Sequence, residues 1–119
     1  MMVRDLIAAL HLPDAEFQRL LNAFVDEFRA SGQEHRRAII AEGPERPGAR
    51  EGLIAGAVSA LCREVGLDVP PWVRETYSPQ PYFALPARGF ALRLRLMLES
   101  PPAFRSRNVF VPENFLARA

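Results

Sequence analysis

The side chains that could carry chemistry in this chain are few and far apart. Histidine occurs twice, at His11 and His35, and cysteine once, at Cys62. A zinc site needs three or four such ligands in paired spacing, and these three are too dispersed to supply it. His11 falls in a turn and His35 on a polar helix start, so both read as surface residues. Cys62 follows Leu61 within an apolar run and reads as a buried, inert thiol. The adjacent acids Asp26 and Glu27 point in different directions on a helix and do not form a catalytic dyad. No Gly-x-Ser-x-Gly elbow and no glycine-rich phosphate loop is present. All fifteen basic residues are arginine. A phosphate-loop lysine and a Schiff-base lysine are therefore both ruled out, while planar bidentate contacts remain open to arginine. The sequence assigns no catalytic, cofactor-binding or metal-ligating residue, and an enzyme is the least supported class.

What remains is recognition chemistry, concentrated in "ESPPAFRSRNVFVP", residues 99–112. Three phenylalanines at 104, 110 and 115 can press a compact tail onto a helical core. Arg105 and Arg107 cannot easily follow them inward, because an unpaired buried guanidinium is very costly. They either pair with acids of the N-terminal helices or face a partner. With Asn108, and with Tyr82 and Phe83 in the preceding aromatic segment, they make up the candidate partner-binding set. Trp72, between proline pairs, reads instead as a plug of the core whose N–H finds a carbonyl.

The elements that must position these residues are mostly helical. Val3, Leu6, Ile7 and Leu10 recur at helical spacing, so residues 2–10 form a short helix. Pro13 suits the first position of a second helix, with Asp14 and Glu16 at its positive end. Phe17, Leu20, Leu21, Phe24 and Phe28 form its apolar stripe, and Ser31-Gly32 stops it. "QEHRRAIIAEG" reads as a third helix and "PERPGARE" as a loop. Residues 50–65 form a fourth, with Ile54, Ala57, Val58, Leu61 and Val65 on one stripe. Its Gly52 and Gly56 weaken it slightly but admit a close neighbour. Gly66, Pro70 and Pro71 end it. "FALRLRLML" alternates its leucines as a strand does, yet it lacks β-branched residues and is rich in helix formers, so it is assigned to a helix. On that helix Phe90, Ala91, Leu94, Met97 and Leu98 share a stripe. "NVFV" reads as a short extended piece, and Pro112-Glu113 as the start of a final turn or two of helix.

The composition shifts partway along. Eight of the eleven prolines lie between Pro70 and Pro112, together with Trp72 and both tyrosines. Residues 1–72 hold eight arginines against eleven acids, a net of −3; residues 73–119 hold seven against three, a net of +4. Neither half alone could build a sound core. The expectation is one domain over residues 1–119, mostly α, with about five to six helices and a proline-rich, aromatic C-terminal half. No apolar run approaches the roughly 20 residues of a membrane span. No signal-peptide cleavage pattern follows "MMVRDLIAAL", so the expected location is cytoplasmic.

"LIAALHLPDAEFQRLL" has the outline of a helix-turn-helix, but Asp14 and Glu16 would open the recognition helix with the wrong charge for phosphate. A helical hairpin that packs on itself is preferred. The segments "LDVPPWVRE", "YF" and "ESPPAFRSRNVFVPENFLARA" together resemble an uncharacterised bacterial domain family. There a Pro-x-Trp segment and an aromatic pair precede a helix ending in Ser-Pro. A Phe-Arg-x-Arg turn, an apolar triplet and a short last helix follow. The resemblance covers the C-terminal half; the N-terminal helices match only in pattern. It implies a domain that occurs free-standing or behind helix-turn-helix regions, the free-standing type encoded beside nucleotidyltransferase-like proteins. It further implies a toxin–antitoxin-like or regulatory pair, and no catalytic residues. The leading functional expectation is thus a non-catalytic module that binds a protein partner. A nucleic-acid-binding regulator using the C-terminal arginines is the alternative.

Overall fold

Seventeen residues, Ala49–Val65, form the helix around which the others assemble. Its Leu53, Ile54, Ala57, Val58, Leu61 and Cys62 are all buried. Burial runs round the helix rather than along one stripe, as expected of an element apolar on every side. In a computed structural model that describes residues 1–84 and 89–117, the chain is mostly helical. The order is α1 (Val3–Ala8), α2 (Asp14–Ala30), α3 (Gln33–Ile39), α4 (Ala49–Val65), α5 (Pro71–Glu75), β1 (Tyr82–Phe83), α6 (Phe90–Glu99), α7 (Pro102–Arg105) and β2 (Val109–Phe110). α4 touches α1, α2, α5, α7 and β2.

α2 delivers its stripe to this hub. Phe17, Leu21, Phe24 and Phe28 are buried as the spacing predicts, Val25 joins them, and Leu20 is only partly covered. The helix ends at Ala30, before Ser31. Between α1 and α2 the turn is filled from outside. The Arg50 guanidinium donates to the carbonyls of Leu10 and Leu12, each at 2.6 Å, and pairs with Asp14 at 2.6 Å. It also lies 4.7 Å from the centre of the Phe17 ring. The α1–α2 pair is a hairpin closed by α4.

The two glycines of α4 are contact points. A Cβ on Gly52 would come within 2.9 Å of the Ser78 backbone nitrogen, and one on Gly56 within 2.5 Å of the Phe104 ring. The segment after α5 and the aromatic tail therefore both lie directly on α4. α4 closes at Gly66, whose left-handed φ of 66° lets Leu67 N–H return to Cys62 O at 2.9 Å.

Two expectations shift. Pro70 and Pro71 do more than end α4: Pro71 opens α5, where proline's missing N–H costs nothing. The last helix after Pro112 is only a turn, held by Phe115 N–H to Pro112 O and Ala117 N–H to Asn114 O. The count is seven helices among the described residues, because α5 and α7 are one-turn pieces too short for periodicity to register.

Candidate functional site

The aromatic tail is tied down by backbone and side chain together. Tyr82–Phe83 pairs with Val109–Phe110 as a parallel ladder, Tyr82 opposite Val109 and Phe83 opposite Phe110. Asn108 precedes this ladder with φ of 63°, a left-handed conformation that asparagine tolerates better than most residues. Its amide donates to Ser78 O at 3.1 Å. Ser78 N–H in turn donates to Arg107 O at 2.9 Å. Ser100, also buried, receives the Val111 N–H at 2.7 Å and reaches Leu96 O at 2.6 Å.

The two arginines of the Phe-Arg-x-Arg turn part company here. Arg107 turns inward. Its Nε and Nη2 donate to Val73 O at 3.1 and 2.9 Å, and its Nη1 to Ala103 O at 2.6 Å. These are carbonyls of the short helices α5 and α7, which cannot satisfy them internally. Burial pushes the guanidinium's pKa below its ordinary value. Arg107 therefore bonds internally, but to helix carbonyls and not to the acids of the N-terminal helices that the sequence suggested. Arg105 stays exposed, and no partner reaches its side chain among the described residues.

Tyr82 is half-buried. Burial, and then the nearby Asp14 carboxylate, raise its hydroxyl above the usual phenol range. Phe83 stacks on Phe110 with centroids 5.2 Å apart, and the Arg93 guanidinium lies 5.5 Å from the Phe83 ring centre. Phe104 is buried in the main core and meets Phe115 edge-on at 5.6 Å. Of the five candidates, Arg107 and Asn108 thus build the turn, Tyr82 and Phe83 build the ladder with an edge toward solvent, and Arg105 alone is a free exposed cation.

Sequence reasoning did not place in the candidate set the element that carries most of the exposed large apolar side chains among the described residues. It is α6. One side chain anchors this helix: Leu96, 4% exposed, packs with Phe83 and Phe110 in a small cluster apart from the main core. The stripe read from the sequence points away from the protein. Phe90 is 80% and Leu98 72% exposed, and Leu94 and Met97 are exposed beside them. The available signal was the presence of leucines on every side of "FALRLRLML": a helix anchored through one face must show the rest.

The residues with reactive side chains stay dispersed. Cys62 is fully buried, and desolvation pushes its thiol up to about 11. His35 lies 3.2 Å from Glu27 at the surface. The Met1 ammonium, followed by His35, holds that carboxyl below the usual range. No cluster of three or more His, Cys, Asp or Glu residues occurs among the described residues. No helix among them is long and apolar enough to cross a membrane. Comparison with known protein families, curated proteins and solved structures finds no match for this chain.

Proposed function

We propose that this chain is a non-catalytic interaction module that binds a protein partner in the cytoplasm, in an antitoxin-like or regulatory role. The observation that carries the reading is the bare apolar face of α6. A protein of this size rarely keeps contiguous large apolar side chains in water unless they meet another surface. The tail beside α6 is rigidly bonded, so a partner meeting it orders little on binding. The resemblance of the C-terminal half adds the class of partner, a nucleotidyltransferase-like protein. The alternative reading, a nucleic-acid-binding regulator, draws on the C-terminal arginines. Against it, Arg107 is committed to the carbonyls of Val73 and Ala103 and is not available to phosphate.

The test is purification of the tagged protein from its own cell at low and at high salt. A stoichiometric protein partner retained at high salt is the expected result, since aromatic and leucine anchors are weakly screened. Co-purified nucleic acid released steeply by salt would overturn the reading, because each phosphate contact releases counterions.

A further inference from the structure

Resting on that reading of α6 as an interaction surface, we propose that the partner segment that covers it is an amphipathic helix whose apolar stripe is flanked by aspartate or glutamate on both sides. The two edges of the α6 face carry one sign of charge. Leu94 lies at the centre of the face, with Phe90 and Leu98 about one turn before and after it. Arg93 and Arg95 fall about 100° to either side of Leu94, and both are exposed. The sole acid of the helix, Glu99, lies about 140° round from Leu94 and off the face. The neighbouring sequence keeps the same sign. From residue 76 to residue 112 arginine stands at 88, 93, 95, 105 and 107, and the only acid is Glu99. An apolar face bounded by cations is complemented by one bounded by carboxylates, as at the e and g positions of paired helices. A second copy of this chain would instead set arginine toward arginine.

The bond that Arg95 already makes does not use it up. It gives Glu99 its Nε at 3.1 Å, and its side chain is 76% exposed. The other N–H groups of the guanidinium fork lie beyond that bond. An exposed ion pair four residues apart contributes little, so a partner's carboxylate can add to it or displace it at small cost. The pair also marks what this edge accepts, which is a carboxylate. On the other edge the Arg93 guanidinium lies 5.5 Å from the centre of the Phe83 ring, a contact that keeps its charge beside the stripe. Shape sets the kind of segment. Leu96 anchors α6 about 160° round from Leu94, so the bare stripe lies on the outer side of the helix. One opposing helix, packed ridge into groove, covers a stripe of that width and brings its own flanks level with Arg93 and Arg95.

The experiment uses the full chain and two synthetic helical peptides of about three heptads, with leucine at a and d. One peptide carries glutamate at e and g and the other lysine, and the two are matched in helicity by circular dichroism. Fluorescence anisotropy should show the glutamate peptide binding with a dissociation constant below about 100 µM. The lysine peptide should bind more weakly by about tenfold or more. Leu94→Glu, keeping the wild-type circular dichroism spectrum, should lose the glutamate peptide, and Arg93→Glu combined with Arg95→Glu should reverse the preference. Equal affinity for the two peptides, or a preference for lysine, overturns the proposal and leaves α6 an interaction surface of another kind. Binding of neither peptide at about 100 µM also overturns it. If, in addition, Leu94→Glu leaves the co-purified protein in place, the reading of α6 falls with it. A mass that doubles with chain concentration and returns to one chain on Leu94→Glu assigns the face to a second copy. Retention by phosphatidylserine vesicles that Leu94→Glu abolishes assigns it to lipid. Either result overturns the proposal.

Discussion

α4, rich in alanine, and α6, rich in leucine, are both largely apolar helices, and they meet opposite fates. α4 is buried round its circumference; α6 buries Leu96 and little else. The difference lies in what interrupts the apolar residues. α4 carries Gly52 and Gly56, which let the Ser78 backbone and the Phe104 ring come to rest on the helix itself. α6 carries Arg93 and Arg95, whose guanidiniums must reach water or a partner and so keep its flanks open. Apolar content alone does not bury a helix. Small residues that admit neighbours do, together with the absence of charge on the approaching side.

The largest effect that separates the two regions is truncation of an aromatic ring. Phe24 is fully buried against the hub, 6.3 Å from Phe28. Phe24→Ala should cost about 3 to 5 kcal/mol by chemical denaturation. A loss within about 0.5 kcal/mol would remove Phe24 from the core.

The next effect tests the glycine contact directly. A β-branched side chain at Gly56 must displace Phe104, which is held between α4 and Phe115. Gly56→Val should destabilise the protein by about 1 to 3 kcal/mol through overpacking. The same substitution at Gly32, where nothing lies within 4 Å of an added Cβ, should cost less. Equal losses at both sites would mean that the approach of the Phe104 ring does not set the cost.

The close approaches to α4 are also where the sequence was most legible. Gly52 and Gly56 signalled a near neighbour, though not that one neighbour would be backbone and the other a ring. The α2 stripe was legible because one period ran unbroken through Phe17, Leu21, Phe24 and Phe28. Trp72 donates its N–H to Ile40 O at 2.8 Å, as a plug should, but remains partly exposed, its ring against Gly43. The tail was legible as apolar rings anchoring a turn. The separate duties of Arg105 and Arg107 were not, because they depend on which short helix ends its carbonyls beside the turn. The orientation of α6 was illegible for a related reason: leucine stands both on its stripe, at Leu94 and Leu98, and at its anchor, Leu96.

A third comparison lies within the turn. Arg107→Ala leaves the carbonyls of Val73 and Ala103 without their charged donor and should cost about 1 to 3 kcal/mol. Arg105→Ala should stay within about 0.5 kcal/mol, as an exposed substitution does. Thermal or chemical denaturation of the two single variants decides it. A larger loss at Arg105 would reverse the assignment of structural and exposed arginine.

The smallest expected effect belongs to α6. Leu98→Gln should change stability by no more than about 0.5 kcal/mol, although leucine in a core would cost several times that. Leu98 is 72% exposed, so its removal takes little apolar surface out of contact and opens no cavity. Glutamine is close to leucine in helix propensity, and Leu96 still anchors the helix on Phe110. The measurement belongs at low chain concentration, because any covering partner adds its own stabilisation by mass action. Under those conditions a loss above about 1.5 kcal/mol would place Leu98 against the protein's own core, and the contrast between the closed surface of α4 and the open one of α6 would collapse.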